Sequence, residues 1–577
     1  MSTTTAAAGL TPDTPGVWRR WLLLTVLLLG AAVVFGRAFY LQVVDNGFLS
    51  HQGSIRFVRT ITLPGFRGAI TDRNGAPLAL SAPVESVWGI PEDILKSPRY
   101  LPALAQLLGM SQSHLENYLQ ARKKLRFVYL QRDMAPDAAN RILALHAPGV
   151  YAQRDYRRYY PAGDVTGQVV GFTNIDGKGL SGVERIDNSL LRGVDGKRGV
   201  VRDGSGRVVQ DTNLYQPAQP GKNVRLTLDL RLQYIAYRDL AAAVAAHGAE
   251  SGSMVIADPR TGDILALVNV PSYNPNDLAQ RDSPGTRDLA VSDTFEPGSS
   301  IKPVLLAAAL TSGKYTPQTQ ITTDGGAYRV GPMIIHDDAD FGTVDLRTLL
   351  QKSSNIGAAK IGLSLGPQAV WSDYHRFGLG TRSSVRLPDP ATPTLHPWQT
   401  WRDVATATAS YGYGVAVSVL QMVRAYSAIA DNGLLPELHI DADHPVTAPQ
   451  RVISAQVART LRNLMTSVIS PDGTAPKAAV AGYQVAGKTG TSRIAGNGGY
   501  ERGKYHAIFI GMLPADHPQL VGMVVINAPK GYDYFGGSVS APVFSSVMGA
   551  AARLLQIAPD ATAPSVLPAV ATAGGVG

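Results

Sequence analysis

The longest predominantly apolar run in the chain lies near its start, from residue 21 to residue 41. A helix needs about 20 such residues to cross the hydrocarbon core of a membrane. The charged end of Arg37 can reach back toward the far surface. The basic pair Arg19 and Arg20 precedes the run, which favours a cytoplasmic location for residues 1–20. The pattern predicts a single transmembrane anchor at residues 21–41.

A cleaved signal peptide and a buried helix of a soluble protein are the alternatives for this run. The apolar core of a signal peptide spans about 7–15 residues and ends at a cleavage site flanked by small side chains. Residues 33–35, Val-Val-Phe, offer no such site. We therefore expect an uncleaved anchor, with the chain from residue 42 onward outside the cytoplasm.

The first soluble region, residues 42–220, has a mixed pattern. Short alternating apolar runs and glycine turns flank a stretch with helical spacing between residues 92 and 147, and Asp72–Gly75 is a hairpin-turn signal. The segment 215–222, rich in proline and glutamine, has the composition of a linker. The pattern predicts a mixed α/β domain that ends near residue 220.

The second soluble region, residues 221–557, is predicted to form an α+β domain. The predicted elements are a hairpin at 253–267 that turns at Pro259–Gly262, strands at 506–512 and 520–527, and a closing helix at 541–555. Segments rich in Ala and Leu fill the middle of the region. Strands at both ends therefore enclose a helical middle, which is the arrangement typical of the α+β class.

Composition and charge exclude several classes of function. The chain is 45% hydrophobic and 17% charged, as folded globular proteins are. It has no cysteine, which excludes thiol catalysis, thiolate metal sites and disulfides. The net charge of +9 comes without any block of five or more basic residues, so it fits a nearby anionic surface or polymer but gives no argument for nucleic acid. Residues 558–577, rich in Ala, Pro, Thr and Gly, are predicted to be a disordered tail.

A first chemical cluster lies in Glu296–Pro303, which leads into an apolar helical run. Pro303 suits the first turn of a helix, and Gly298 suits a tight entry to it. Ser299 and Lys302 are three residues apart and are expected side by side on one helix face. A neutral lysine can activate a serine hydroxyl as a nucleophile, and free N–H groups at a helix start can stabilise an oxyanion. Alone the pattern is weak, because a serine cap beside a solvated lysine explains it as well.

Two further polar clusters follow along the chain. Ser353 and Asn355 lie two residues apart in apolar sequence, where a helix cap or a satisfied core pair is the ordinary explanation. Lys488, Thr489 and Thr491 place a cation and two hydroxyls on a predicted edge strand, and such a set could bind a carboxylate. As an isolated short motif this cluster also has a simpler explanation, namely a turn.

Order and spacing make the three clusters specific as a set. Ser-x-x-Lys begins at Ser299, Ser-x-Asn begins 54 residues later at Ser353, and Lys-Thr-Gly begins another 135 residues later at Lys488. These motifs in this order are those of the penicillin-interacting serine transferases and hydrolases. The set predicts acyl transfer through a serine.

Residues 482–489 also satisfy the pattern of a phosphate-binding loop, G-x-x-x-x-G-K-[ST]. Such a loop must follow a strand and open a helix. Here Thr489 is followed by Gly490–Arg493, which are poor helix formers, and residues 483–486 themselves have a strand pattern. We therefore expect no nucleotide hydrolase. The H-E-x-x-H pattern of zinc hydrolases is absent from the sequence.

The chain resembles the class B penicillin-binding proteins over nearly its whole length, most closely their septal peptidoglycan D,D-transpeptidases of the FtsI type (penicillin-binding protein 3). Beyond the three motifs, the resemblance rests on Arg67–Gly75, Tyr160–Gly163, Gly171–Asn174, Gly179–Glu184, Tyr411–Gly414 and Phe535–Phe544. Ser300 stands where threonine is usual, and Gln168 lies where the family often has histidine. The resemblance implies a penicillin-binding transpeptidase domain, an antiparallel sheet flanked by helices, on an elongated mixed α/β pedestal at residues 42–220.

The resemblance also implies a role for each motif residue. Ser299 attacks the penultimate carbonyl of a peptidoglycan stem ending in D-Ala-D-Ala, Lys302 is the base, and Ser353 relays a proton to the departing D-Ala. Asn355 holds the stem's amide, and the terminal carboxylate faces Lys488, Thr489 and Thr491. The N–H groups of Ser299 and Thr491 form the oxyanion hole. Three aromatic residues could line the pocket or simply pack in the core: Tyr505, Tyr534 and Phe535.

The implied setting is the inner membrane, with the catalytic domain in the periplasm. The implied partners are stem peptides, β-lactams, an FtsW-type glycosyltransferase and other divisome proteins, whereas no cofactor, metal or nucleic acid is implied. Within the superfamily the alternatives are an elongation-type transpeptidase, a D,D-carboxypeptidase and a β-lactamase. From another class, the chain could be a non-catalytic β-lactam sensor or scaffold. The complete motifs argue against a scaffold, and the anchor with its pedestal argues against a small secreted lactamase.

Overall fold

The computed structural model describes residues 16–45, 58–202, 208–443, 445, 447–496 and 498–560. Residues 1–15 of the predicted cytoplasmic segment and 46–57 of the predicted pedestal lie outside the described residues. So do residues 561–577, which make up most of the predicted tail.

The described chain contains both helices and strands throughout its soluble part. The α-helices are α1 Val17–Phe39, α2 Pro91–Leu95, α3 Leu101–Leu107, α4 Gln112–Gln120, α5 Pro136–Leu143, α6 Gly167–Val170, α7 Gly182–Ile186, α8 Asn188–Leu191, α9 Leu230–Ala246, α10 Leu289–Ser292, α11 Lys302–Thr311, α12 Leu346–Lys352, α13 Asn355–Leu365, α14 Pro367–Arg376, α15 Asp403–Ala409, α16 Val419–Ala430, α17 Ala455–Met465, α18 Gly536–Val539 and α19 Ala541–Leu554. The strands are β1 Val58–Leu63, β2 Ile70–Thr71, β3 Pro77–Gly89, β4 Val128–Met134, β5 Val150–Tyr159, β6 Gly196–Arg202, β7 Val208–Gln216, β8 Val224–Arg225, β9 Ser251–Ala257, β10 Ile264–Val270, β11 Ile321–Thr322, β12 Ala327–Val330, β13 Met333–His336, β14 Thr343–Val344, β15 Leu434–Leu435, β16 Gln450–Arg451, β17 Ala486–Gly496, β18 Gly499–Leu513 and β19 Leu520–Asn527.

The N-terminal apolar run forms one long helix, as predicted. Helix α1 continues without a break into a π-helical segment, Tyr40–Val44. Together they form a helix of 28 residues that is long and apolar enough to cross a membrane, and none of its most apolar window is buried in the protein. The helix begins four residues before the predicted span at residue 21, because Val17–Arg20 continue the same backbone geometry.

The pedestal is built on two sheets. One sheet has the order β4–β3–β2–β8, with β5 also paired to β3, and the other has the order β1–β6–β7. The predicted hairpin turn at Asp72–Gly75 joins β2 to β3, and the Gly75 N–H donates to the Asp72 carbonyl at 3.1 Å. Gly75 has φ +85°, which favours glycine at this position. The stretch 92–147 holds four helices as predicted, but its periodicity did not reveal strand β4.

A buried ion cluster ties the pedestal together. The Glu184 carboxylate accepts from Arg67 Nε at 2.5 Å and from Arg158 Nε at 2.6 Å. The side chains of Arg67, Arg158 and Glu184 are only 7%, 4% and 0% exposed. Because one carboxylate serves two buried guanidinium groups, it cannot be removed without leaving both cations unpaired.

We expect Glu184→Gln to destabilise the pedestal by about 3–5 kcal/mol, because two buried cations lose their counter-ion. Calorimetric unfolding of the variant and the wild type would measure the loss. The matched control is Asp211→Asn, which breaks the exposed Arg198–Asp211 pair and should leave the unfolding transition unchanged. Equal stability of Glu184→Gln and the wild type would contradict the prediction.

The segment 215–222, predicted as a linker, is bonded into the pedestal. Its first residues belong to β7, Gln219 exchanges backbone hydrogen bonds with Val194, and the Lys222 N–H donates to the Leu190 carbonyl. Strand β8 then pairs in parallel with β2. Composition alone gave no sign of these contacts, because they join the segment to residues far away in the sequence.

Direct hydrogen bonds join the pedestal to the following domain. Gln168 donates from Nε2 to the carbonyls of Pro271 at 2.9 Å and Gly285 at 2.7 Å, and Gln233 donates to the Val165 carbonyl at 3.1 Å. A glutamine amide carries two N–H donors, so Gln168 can serve both carbonyls at once.

The second domain is organised around one antiparallel sheet, in the order β10–β9–β19–β18–β17. Strands β9 and β19 are buried on successive residues, from Gly252 to Ala257 and from Leu520 to Ile526. Since successive side chains point to opposite faces of a sheet, both faces are covered. Helices α9, α16 and α19 pack on these strands. The predicted hairpin, strands and closing helix are all present, and the α+β class is confirmed.

Candidate active site

Ser299 lies in a tight turn that opens a buried helix. The turn Gly298–Ile301 is 3-10 helical, and helix α11 begins at Lys302 with Pro303 in its first turn. Gly298 enters the turn with φ +53°, a left-handed conformation that glycine adopts without steric cost. The expected Ser-x-x-Lys helix is therefore a 3-10 turn followed by an α-helix. Residues three apart in a 3-10 turn lie over one another, so Ser299 and Lys302 stay on one side.

Strand β17 passes directly against this turn. A Cβ added at Gly490 would lie 2.8 Å from the Pro297 carbonyl oxygen and 3.3 Å from Ser300 Cβ. Carbon and oxygen atoms do not approach this closely without a shift of the backbone, so the contact needs glycine at position 490. The third motif is thereby held against the turn that carries the first motif.

The Lys302 ammonium group is the centre of a hydrogen-bond network. Its Nζ donates to the Ser353 carbonyl at 2.5 Å, the Ser353 hydroxyl at 3.3 Å and the Asn355 side-chain oxygen at 2.9 Å. The side chain is completely buried. The base candidate and both polar residues of the second motif are therefore in direct contact.

Ser353 and Asn355 are positioned by the junction of two helices. Ser353 ends α12 in the left-handed conformation, with φ +59°, which is uncommon for a residue with a side chain. Helix α13 then starts at Asn355. Such strained positions are often found at functional sites, where the surrounding structure compensates for their cost.

Lys488 approaches the same serine from strand β17. Its Nζ donates to the Ser353 hydroxyl at 2.9 Å and to the Thr489 hydroxyl at 3.1 Å. Lys488 is fully buried as well. The Ser353 hydroxyl thus lies between two lysines, each within hydrogen-bond distance.

Burial shifts the pKa of both lysines downward. Desolvation lowers the pKa of Lys302 to about 7, although the carboxylates of Asp337 and Asp338 raise it. Desolvation, followed by the neighbouring Lys302 charge, lowers the pKa of Lys488 well below its ordinary range. A lysine with a pKa near 7 can act as a base at neutral pH, which an ordinary solvent-exposed lysine cannot do efficiently.

Ser299 and Thr491 stand outside this network. Among the described residues, the Ser299 hydroxyl has no hydrogen-bond partner, and Thr491 Oγ1 accepts only from the Gly536 N–H, at 3.3 Å. Ser299 is partly exposed, unlike its neighbours Gly298 and Ser300. A partly exposed hydroxyl beside a buried lysine is open to a substrate carbonyl.

Three aromatic rings form a stack beside the third motif. The ring centroids of Tyr505 and Tyr534 are 4.2 Å apart, and those of Tyr534 and Phe535 are 4.6 Å apart. Gly536, next to Phe535, is the residue that donates to Thr491. Half of Phe535 is exposed, whereas Tyr505 and Tyr534 are partly buried.

Asp337 is a positioning residue that the sequence analysis missed. Its carboxylate accepts from the Ser354 hydroxyl at 2.5 Å and from the N–H groups of Asn355 at 2.5 Å and Ile356 at 3.0 Å. It therefore covers the start of α13, where free N–H groups favour a negative charge. The only available sequence signal was an acidic pair, Asp337 and Asp338, after a short apolar run, and such pairs are common on surfaces.

The phosphate-loop pattern at residues 482–489 lacks the geometry that it requires. Thr489 lies inside strand β17, which continues to Gly496 and is followed by β18, not by a helix. In the part of the chain that the structure describes, no group of three or more His, Asp or Glu side chains could hold a metal ion.

Sequence profiles of two protein families match the two soluble regions. The family described as "Penicillin binding protein transpeptidase domain" matches residues 252–549, and "Penicillin-binding Protein dimerisation domain" matches residues 62–226. The first match alone covers more than half of the chain. The chain belongs to the penicillin-binding protein family, and its two regions are those of a class B member.

Curated relatives resemble the chain from end to end. The "Probable peptidoglycan D,D-transpeptidase PbpC" of Pseudomonas aeruginosa is 40% identical over 94% of this chain and 96% of its own length. The "Peptidoglycan D,D-transpeptidase FtsI" of Escherichia coli K12 is 39% identical over 94% of this chain and 93% of its own length.

Solved structures agree with this assignment. A peptidoglycan synthetase from Bifidobacterium adolescentis covers 88% of this chain and 98% of its own length, with a TM-score of 0.70 and 26% identity. The transpeptidase domain of Burkholderia pseudomallei penicillin-binding protein 3 is 40% identical and has a TM-score of 0.54 over 58% of this chain and 98% of its own.

Proposed function

We propose that this protein crosslinks peptidoglycan stem peptides through a serine acyl-enzyme, as a D,D-transpeptidase of the septal FtsI type. The observation that carries the proposal is the buried network in which Lys302, Ser353, Asn355 and Lys488 meet beside the Ser299 turn. The end-to-end similarity to peptidoglycan D,D-transpeptidases supports the same reaction.

In the first half of the reaction, Ser299 Oγ attacks the carbonyl carbon of the penultimate D-Ala. Neutral Lys302 takes the serine proton, and the carbonyl oxygen becomes an oxyanion that the N–H groups of Ser299 and Thr491 stabilise. The C–N bond to the terminal D-Ala then breaks. The proton passes from Lys302 through the Ser353 hydroxyl to the departing amine, and an ester on Ser299 remains.

In the second half, an amine from a neighbouring stem attacks this ester. Its surplus proton returns along the Ser353–Lys302 path, the new peptide bond forms, and Ser299 Oγ regains its proton. A β-lactam enters by the same attack, but its leaving amine remains attached to the acyl group after ring opening. The acyl-enzyme therefore persists, which accounts for covalent labelling by penicillin.

Substrate binding uses the remaining motif residues. The terminal carboxylate meets Lys488, Thr489 and Thr491, and Asn355 holds an amide of the stem. Lys488 donates a hydrogen bond to the Ser353 hydroxyl, and burial lowers its pKa. An arriving carboxylate raises that pKa again, because an opposite charge nearby favours the ammonium form.

Fluorescent penicillin tests the acyl-enzyme, and mapping of the labelled peptide tests its site. We expect one adduct, on Ser299. Incubation with a D-Ala-D-Ala stem peptide and an amine acceptor should then give the crosslinked product. Hydrolysis without crosslinking would assign a D,D-carboxypeptidase instead, and an acyl-enzyme without either product would assign a sensor.

We further propose that the catalytic domain lies in the periplasm and that α1 contacts an FtsW-type glycosyltransferase, which supplies the glycan strands. Arg19 and Arg20 before the apolar span support this orientation. Arg37 lies within the apolar helix, and a charged residue inside a membrane-spanning segment is a candidate for a polar contact with another membrane protein.

A truncation that starts near residue 45 should be soluble and bind penicillin, but should fail to support septation. The core of the second domain continues into part of the pedestal, and it includes no residue of α1, which has no buried residue among those described, so the fold does not need the anchor. The test is expression with a cleavable export signal in cells depleted of the full-length protein, scored by filament length. A chimera that carries an unrelated apolar anchor restores membrane tethering but not the partner contact, so it separates the two contributions. Normal division with the truncation at native expression would overturn the partner proposal.

A further inference from the structure

The β17–β18 hairpin extends well beyond the catalytic sheet. Strand β18 pairs with β19 only from His506 to Leu513, whereas it pairs with β17 as far as Gly496 and Gly499. Residues 493–496 and 499–505 therefore form a two-stranded ribbon. A two-stranded ribbon is only marginally stable in water, so its position depends on contacts outside the sheet.

A single carboxylate supplies such a contact. Glu296 Oε2 accepts from the Tyr500 hydroxyl at 2.8 Å, and Oε1 accepts from the Gly414 N–H at 2.7 Å. Partial burial, followed by the hydrogen bond to Glu296 and then its charge, raises the pKa of Tyr500, so its hydroxyl keeps the proton that it donates. The edge of the Tyr500 ring also packs on Tyr413, with centroids 6.1 Å apart and planes at 87°.

These contacts converge on the nucleophile. Glu296 precedes Ser299 by three residues, and its main-chain oxygen accepts from the Ser492 hydroxyl at 2.6 Å. The Gly298 N–H donates to the Gly412 carbonyl at 3.1 Å. A Cβ at Gly412 would lie 2.1 Å from the Gly298 carbonyl oxygen, so this loop can pack here only with glycine. The ribbon, the loop that contains Gly412 and Gly414, and the turn that carries Ser299 therefore meet at Glu296.

We propose that Glu296 is a positioning residue that clasps the ribbon, through Tyr500, beside the turn that carries Ser299. The clasp adds a positioning residue to the proposed function. Only the acylation measurement rests on that function, whereas the exchange measurement does not. The clasp keeps the substrate-binding edge of β17 in place before the substrate arrives, so its loss weakens productive binding and leaves the chemical step intact. Among the ribbon's other polar contacts, the Tyr505 carbonyl accepts from the Ala528 N–H at 2.8 Å, at the end of the ribbon nearest the sheet. Lys504 forms exposed ion pairs with Glu250 and Glu501, and such pairs fix little.

Tyr500→Phe tests the clasp in the full-length protein in detergent, because it removes one hydroxyl and keeps the ring. The matched control is Tyr532→Phe, the same change at a fully exposed tyrosine. Hydrogen–deuterium exchange of the amides in residues 493–503 should speed up about three- to tenfold in Tyr500→Phe, the amount that one hydrogen bond accounts for. The control should match the wild type. Unchanged exchange in Tyr500→Phe would overturn the clasp, whatever the protein's activity.

Acylation by fluorescent penicillin gives the kinetic readout. In Tyr500→Phe the second-order acylation constant should fall about three- to tenfold, while the limiting rate at saturating penicillin should stay within about twofold of wild type. A loss in the limiting rate with unchanged exchange would place Tyr500 in the chemistry and overturn the positioning role. Absence of acylation in the wild type would instead refute the proposed function and leave the exchange result standing.

Substitutions at Glu296 complete the test. Glu296→Gln can still accept from Gly414 and can donate to the Tyr500 oxygen, so it should retain most of the wild-type exchange protection. Glu296→Ala should speed exchange at least as much as Tyr500→Phe, because it also removes the acceptor of the Gly414 N–H. The double variant Glu296→Ala/Tyr500→Phe should show no further change beyond Glu296→Ala, because the Tyr500–Glu296 hydrogen bond is already lost. Additive effects of the two substitutions, or a Gln variant as impaired as the Ala variant, would overturn the clasp.

Discussion

Replacing Ser299 by alanine is expected to abolish covalent penicillin labelling while the protein stays folded. The turn Gly298–Ile301 is held by its backbone, by Gly298 and by the packing of Gly490, so loss of one partly exposed hydroxyl should not disturb it. The Ser353 hydroxyl also lies beside Lys302, but it is bonded to both buried lysines, and we assign it the proton relay. Gel fluorescence after incubation with labelled penicillin measures the effect, and thermal unfolding checks the fold.

Ser312→Ala is the matched control for this variant. Ser312 lies at the far end of α11, is exposed and donates only to the Ala309 carbonyl. Its loss should leave labelling at the wild-type rate. If Ser299→Ala also labelled at the wild-type rate, another residue would be the nucleophile and the proposed acyl-enzyme would be wrong.

The sheet of the second domain could be predicted because its strands are uninterrupted apolar runs. Residues 254–257 and 520–526 are buried on both faces, and a continuous short apolar run bounded by turn residues is typical of a fully buried strand. The anchor was predictable for a similar reason, since length and composition decide it. Strand β4 was not, because its residues alternate irregularly between Val128 and Met134 and lie among helices.

The motif residues could be found from order and spacing, but the way in which they meet could not. Ser299 and Lys302 were expected on an α-helix, whereas a 3-10 turn carries the serine. Ser353 adopts a left-handed conformation, which its residue type did not predict. These features arise where α12, α13 and β17 pack together, and packing between distant segments leaves no periodic pattern in the sequence.

Glu296 and Asp337 were missed for the same physical reason. Each is a carboxylate whose partners lie far along the chain: Gly414 and Tyr500 for Glu296, and residues 354–356 for Asp337. Acidic residues usually lie on surfaces, so neither stands out by type. Their importance follows only from the donors that the fold brings to them.

Two lysines are buried within one hydrogen-bond network, which costs free energy of folding and is directly tied to the chemistry of the site. Each buried ammonium group is costly unless it is neutralised or paired. Lys302 and Lys488 share the Ser353 hydroxyl, so their charges repel each other at close range. This repulsion and the burial both favour a neutral lysine, which is the form that a general base needs.

Lys302→Ala should slow acylation by several orders of magnitude, because the base that takes the Ser299 proton is lost. Rapid-mixing measurements with fluorescent penicillin would give the rate. Lys352→Ala is the matched control: this lysine precedes Ser353, but its Nζ donates to the Asp472 carbonyl and not to the network. An acylation rate of Lys302→Ala within about tenfold of wild type, about 1.4 kcal/mol of barrier, would remove Lys302 from the role of base.

The pH dependence of wild-type acylation tests the same role without a substitution. Only the neutral amine can accept the serine proton, and burial lowers the pKa of Lys302 to about 7. The second-order acylation constant should therefore rise about tenfold per pH unit below pH 7 and level off above it, as for any single essential base. Because Asp337 and Asp338 raise the pKa of Lys302, Asp338→Asn should move the midpoint to lower pH. A profile that still rises toward pH 10 would mean that Lys302 keeps an ordinary lysine pKa and cannot be the base at neutral pH.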